Sequence, residues 1–181
     1  MDYFFSEKQI AVRDVARKIA RERIAPVVAA CDESQETPRE IIDVMAKADL
    51  FRVYLPEEYG GLGGGATELC IVTEEVSRVC GGICLVFAAT ALAAQPIMLG
   101  GTPEQKKRFL PPLAEGTKTG AFCVSEPDSG SDAGAVKTTA TRDGDHWVLN
   151  GTKQWITNAG VADTYCILAS TNKKQIGRAH V

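Results

Sequence analysis

The chain has 181 residues, of which 45% are hydrophobic and 24% charged, and its formal net charge is −3. That length allows one large domain or two small ones, and the composition suits a globular protein able to bury a core. The slightly negative balance, with no basic tract, argues against nucleic acid or an anionic membrane as a general partner.

The N-terminus, Met1-Asp2-Tyr3-Phe4-Phe5-Ser6-Glu7, has neither a basic segment followed by an apolar run nor an arginine-rich leader. It therefore reads as untargeted, and a cytoplasmic, bacterial-type location is expected. Ser6 and Gln9 have the spacing of a capping box. Ile10, Val12, Val15, Ile19 and Ile24 then supply helical periodicity. Thr37-Pro38-Arg39-Glu40 is a second start signal: a hydroxyl cap, proline at the first helical position and a carboxylate soon after. Ile41, Ile42, Val44 and Met45 give that helix its apolar side. Phe51-Arg52-Val53-Tyr54-Leu55-Pro56 is too short and proline-bound for a helix, and the glycines at 60–65 mark a loop.

A third helix is expected over 67–80, stopped by Gly81-Gly82. The uncharged stretch 79–103 raises the question of a membrane span. Its glycine pairs and Gln95-Pro96 divide it, and the continuous part, 83–99, is short and alanine-rich. A buried central helix is the expectation. Thr102-Pro103-Glu104-Gln105 opens a fifth helix, which Pro111-Pro112 should break or end. The six cysteines are Cys31, Cys70, Cys80, Cys84, Cys123 and Cys166. They form no Cys-x-x-Cys pair, so no metal is expected and buried thiols in a reducing compartment are the reading.

After Gly116 the pattern becomes β-rich. Runs at 119–125, 137–142, 147–150, 154–157 and 164–170 are expected strands, with Asp143-Gly144 and Asn150-Gly151 as turns. The fold class is thus α+β: an all-α helical domain over 1–117, then an incomplete antiparallel β-barrel-like domain over 118–175. The last six residues, Ile176-Gly177-Arg178-Ala179-His180-Val181, are the in-frame translation of a widely used sequencing adapter. They are expected to be a non-native tail, with the native reading frame continuing beyond.

Two segments stand apart from core patterning. In Ser125-Glu126-Pro127-Asp128-Ser129-Gly130-Ser131-Asp132-Ala133-Gly134-Ala135 an apolar strand leaves through a proline bend into hydroxyls, carboxylates and glycines. Such a loop suits a polyanionic or heteroaromatic ligand, and serves equally as a solvated, self-capped loop. It is neither a P-loop nor a Rossmann fingerprint. In Trp155-Ile156-Thr157, strand alternation would point the indole and the hydroxyl one way and Ile156 toward the core. That pair suits a stacked isoalloxazine, or an exposed Trp packed on a neighbouring domain.

These segments, with Leu55-Pro56-Glu57-Glu58-Tyr59-Gly60-Gly61 and Asn150-Gly151-Thr152-Lys153-Gln154 in the same order, resemble the acyl-CoA dehydrogenase family up to about Thr171. The resemblance implies FAD as cofactor, with Phe122, Cys123, Val124 and Ser125 along its pyrimidine side. Ser131 would contact cofactor and CoA, Trp155 and Ile156 would belong to the segment covering one flavin face, and Thr157 would hydrogen-bond N5. Cys84, Ala88 and Leu92, spaced by four on the fourth helix, would help line the acyl pocket; core packing accounts for the same stripe. The implied reaction is α,β-desaturation of an acyl-CoA to the trans-2-enoyl-CoA, with electrons passing to an electron-transfer flavoprotein and a homotetramer as the assembly. The base is implied to be a glutamate in a later helical domain, so no catalytic residue is expected here, and Glu126, in the cofactor loop, is not that base. Acyl-CoA oxidase, flavin monooxygenase and a non-catalytic binding module are the other readings of the scaffold.

Overall fold

A computed structural model describes residues 4–36 and 38–171. Helix α1 spans Glu7–Ile19. Its capping box is formed, with Gln9 N donating to Ser6 Oγ at 3.3 Å and Ser6 N to Gln9 Oε1 at 2.9 Å. The helical path then widens into a π turn at Ala20–Ile24, tightens into a 3-10 turn at Ala25–Val27 around Pro26, and resumes as α2, Val28–Ser34. Proline's missing N–H explains the irregular turns, because the ladder must reorganise where it has no donor. Helix α3, Arg39–Lys47, begins after Pro38; the hydroxyl cap expected at Thr37 lies outside the described residues.

Helix α4 spans Ala66–Ser77, α5 Gly81–Gly100 and α6 Pro103–Ala114. The Gly81-Gly82 pair does not separate α5 from its cap. Cys80 is the N-cap, its sulfur accepting from Ile83 N, and the helix starts at Gly81 itself. Nor does Pro96 divide α5, or Pro111-Pro112 end α6. Lys107 and Arg108, four residues before the α6 prolines, are exposed, so water can satisfy the carbonyls that lose their donors. By length and composition α5 could cross a membrane, but here it is the central helix of the fold. Phe87 meets Phe51 and Tyr54 edge-on, with ring centroids 5.3 and 5.8 Å away, and all three side chains are buried. Leu110 and Leu113 of α6, Met45 of α3 and Ile24 complete this core.

Strands β1 (Gly120–Cys123), β2 (Thr139–Asp143), β3 (His146–Asn150) and β4 (Thr164–Ile167) form two small sheets. β2 and β3 are the expected antiparallel hairpin, with Asp143 opposite His146 and Gly144 at φ +57°. β1 and β4, however, run parallel, with Gly120 beside Thr164 and Cys123 beside Ile167. Parallel pairing needs a long crossover, and 40 intervening residues, 124–163, provide it. No closed barrel occurs among the described residues; a parallel bridge from Thr139 to Ser170 joins the sheets. Gly120 is where β1 meets α5. A side chain there would drive a Cβ to 2.7 Å from that of Ala93. The expected tail at 176–181, and the end of the expected β domain from 172, lie outside the described residues.

Candidate functional site

The chain leaves β1 at Cys123 and bends immediately. Glu126 and Ser129 close the bend with paired backbone bonds of 2.8 and 3.2 Å. Ser129 Oγ donates to the Asp132 carbonyl at 2.7 Å, and Asp132 Oδ1 accepts from Gly134 N at 3.1 Å. The Asp and Ser side chains at those positions thus brace the loop from within, while Ser131 stays exposed.

The segment 154–157 is not a strand. Gln154 N makes a single cross-link, to Ser125 O at 3.0 Å, and the chain then turns through 157–161. Trp155 takes the left-handed region at φ +59° and Asn158 does so at φ +67°. Alternation therefore cannot align the indole with the Thr157 hydroxyl, and the two belong instead to a tight turn. The partners differ from those of a ladder: Gln154 N bonds to the Ser125 carbonyl, and Asn158, just beyond, is spent on α5. Trp155 is 87% exposed, whereas Ile156 and Thr157 are half-buried.

A buried ionic cluster ties bend to turn. Lys153 Nζ reaches Glu126 Oε1 at 2.9 Å and the Val124 carbonyl at 3.0 Å. Glu126 also accepts from Lys137 N at 2.6 Å, from Thr138 N at 2.9 Å and, at very short range, from the Thr138 hydroxyl. Burial pushes the Glu126 carboxyl up, but the hydrogen bonds from Thr138, Lys153 and the two amides outweigh it and hold the group down at about 2. A carboxylate so paired is a poor proton acceptor at neutral pH.

The same turn is pinned to α5. Asn158 Nδ2 donates to Val86 O at 3.1 Å and to Gly120 O at 2.9 Å. Thr90 Oγ1 donates to Val86 O at 2.9 Å and accepts from Gly120 N at 3.2 Å. Sequence reasoning missed this junction, although an asparagine just past Thr157 is a residue type that tolerates the left-handed conformation. The spaced-by-four stripe on α5 divides: Cys84 lies in the core, its thiol donating to Thr73 O at 3.4 Å, Ala88 is half-buried and Leu92 is 50% exposed.

Burial pushes the Cys84, Cys123 and Cys166 thiols up, leaving them inert at neutral pH, while Cys70 is exposed. Among the described residues no group of three or more His, Cys, Asp or Glu could hold a metal. No hydrogen bond among the described residues uses the hydroxyls of Ser125, Ser131 or Thr157 or the indole N–H of Trp155. The bend and the turn therefore carry unspent hydroxyls, and the turn also carries an exposed indole. That donor set fits a flat heteroaromatic ligand.

Comparison with known proteins gives a consistent picture. Two family models match, "Acyl-CoA dehydrogenase, N-terminal domain" over residues 6–117 and "Acyl-CoA dehydrogenase, middle domain" over residues 121–181. The short-chain-specific acyl-CoA dehydrogenase of Clostridium acetobutylicum is 41% identical over 174 residues, which are 96% of this chain and 46% of that protein. Among solved structures, a chain of the electron transferring flavoprotein structure of Acidaminococcus fermentans superposes with TM-score 0.92 at 41% identity, covering 97% of this chain and 47% of that one. An acyl-CoA dehydrogenase complexed with FAD from Bacillus anthracis gives TM-score 0.85 at 35% identity over 92% of this chain and 29% of that one. The chain thus spans about half the length of the curated relatives it matches.

Proposed function

Because the chain belongs to the acyl-CoA dehydrogenase family, we propose that the whole protein is an FAD-dependent acyl-CoA dehydrogenase. It converts an acyl-CoA thioester to the trans-2-enoyl-CoA. The observation carrying this reading is the unspent hydroxyls of Ser125 and Thr157 on two segments that are hydrogen-bonded to each other beside an exposed indole. FAD, when bound, supplies the two-electron acceptor for the α,β-desaturation.

Within that reading, Trp155 covers one face of the flavin ring, and the Ser125 and Thr157 hydroxyls hydrogen-bond its polar edge. Phe122, Cys123 and Ile156 form the apolar backing behind these contacts, and Val124 contributes backbone. Ser131, exposed on the loop, touches cofactor and the CoA portion. Ala88 and Leu92 face the acyl chain, with Cys84 behind them in the core. The α-proton goes to a base supplied by residues other than these 181; Glu126 is fully engaged, and Asp128 and Asp132 of the same bend are paired with Lys137 and the Gly134 amide. Electrons leave to an electron-transfer flavoprotein, and the whole protein assembles as a homotetramer.

The test is expression of the intact gene product. A yellow protein that forms enoyl-CoA from short acyl-CoA substrates with an electron-transfer flavoprotein as acceptor is expected. A preparation that stays colourless after incubation with FAD overturns the reading. The 181-residue chain by itself is expected to hold flavin weakly and to be inactive; enoyl-CoA formation by it would contradict the placement of the base.

A further inference from the structure

We infer that the buried Glu126–Lys153 pair is a positioning device, which sets the carbonyl edge of the Val124–Ser125 bend against the Trp155 turn. The inference rests on the flavin reading above and adds residues to it that touch no ligand. Glu126 and Lys153 side chains are 3% and 11% exposed, and their contact joins segments 27 residues apart in sequence. Each ion has directional partners on separate segments. Lys153 fixes the Val124 carbonyl; Glu126 fixes the amides of Lys137 and Thr138.

Two observations favour placement over mere cohesion. A buried ion pair carries a desolvation cost, and well-packed apolar residues of similar volume often stabilise as much or more. The backbone nearby is also strained: Trp155 lies in the left-handed region at φ +59°, where its β-carbon crowds the following carbonyl. Such a conformation persists only where its surroundings over-determine it. Lys153, two residues before, and the Gln154–Ser125 backbone bond supply that determination on one side. Gly151 makes room for the cluster, since any side chain there would run into the Thr138 hydroxyl that serves Glu126.

The experiment uses the full-length protein, with FAD dissociation constant, visible flavin spectrum and thermal midpoint measured for the parent, Lys153→Met and Glu126→Gln/Lys153→Met. Lys153→Met leaves a buried carboxylate without its cation and is expected to lower the midpoint markedly. The double variant removes both charges, keeps an acceptor for Thr138, and is expected to recover most of the midpoint. Its FAD dissociation constant is nonetheless expected to stay at least tenfold above the parent's, with a visible band shifted toward that of free flavin. Recovery of FAD affinity to within twofold of the parent, together with the midpoint, would reduce the pair to a stabilising contact and overturn the inference. So would failure of both variants to fold. A parent that binds no FAD would overturn the functional reading along with it, whereas a parent that binds and variants that bind equally well overturn the positioning role alone.

Discussion

Trp155 sits in a backbone conformation that bulky residues rarely adopt, with most of its indole in solvent. Glycine would relieve the strain, on the order of 1–2 kcal/mol, against roughly 0.5–1 kcal/mol of extra unfolded-state entropy. Little burial is lost. Trp155→Gly in the intact protein is therefore expected to leave the apo thermal midpoint unchanged or raised, while FAD binding weakens roughly two- to tenfold through loss of about 0.5–1.5 kcal/mol of stacking. Parallel calorimetry and flavin titration test this; a lower apo midpoint would mean the left-handed turn is not a site of strain. Tyr54 is a second residue at odds with its surroundings. Its hydroxyl is buried beside Phe87 with no hydrogen-bond partner among the described residues, and burial pushes the phenol up beyond its ordinary range. An unsatisfied buried hydroxyl costs about 1–3 kcal/mol, so Tyr54→Phe is expected to raise the urea midpoint, and a fall would point to a partner for that oxygen.

Among elements, the junction of α5, β1 and the turn at 157–161 engages two side chains, Thr90 and Asn158, which act on the Val86 and Gly120 carbonyls and the Gly120 amide. Asn158→Ala removes two buried hydrogen bonds and leaves at φ +67° a residue that tolerates the left-handed region less well than asparagine. A loss of about 1–3 kcal/mol is expected, read as a lower urea midpoint. Asn158→Gly, which tolerates the same φ, is expected to lose less; equal losses would mean the amide alone matters. This junction also shows what sequence patterning can reach. The capping box at Ser6, the hydroxyl cap at Thr102 and the Asp143-Gly144 hairpin were legible, because each depends on residues within a few positions of one another, and the uncharged run of α5 marked it as the central helix. The α6 prolines and the turn at Trp155 were misread, and Asn158's role was not seen. Pro111 and Pro112 stand inside a helix whose residues four positions back, Lys107 and Arg108, are exposed. A lysine's reach to Glu126 and Val124, 29 residues back in the second case, draws a β-rich run into a turn. Such outcomes are set by tertiary partners that period and propensity do not encode. The bend and the turn were nonetheless singled out as the site, since their composition departs from core patterning whatever their backbone does.

Among the described residues of the whole molecule, four carboxylates are held below their ordinary range: Glu104 in the first turn of α6, and three in different joints of the fold. Gln9 and the Gly65 amide hold Glu68 down where α1 meets the start of α4. Arg17 holds Glu75 down at the α1–α4 contact, through bonds of 2.8 and 2.9 Å. Glu126 does the same work between bend and turn, held at about 2 against an ordinary 4.5. In each case the folded state binds fewer protons than the unfolded chain over part of the acid range, so stability rises with pH there. For Glu126 the contribution is complete above about pH 4.5 and is lost as pH falls toward 2. Urea midpoints of the intact protein are therefore expected to fall steadily between pH 5 and pH 3 on the order of the usual carboxylate titration range. Glu126→Gln/Lys153→Met is expected to show a shallower fall, with the remainder owed chiefly to Glu68 and Glu75. Removing Arg17 as Arg17→Met should flatten the slope at the helical end while leaving the parent's flavin spectrum unchanged, because its bonds to Glu75 join α1 to α4, whereas bend and turn are joined through Lys153 and Glu126. Parallel curves for parent and double variant would mean that the buried pair is not where acid enters the fold, and that the helical joints give way first.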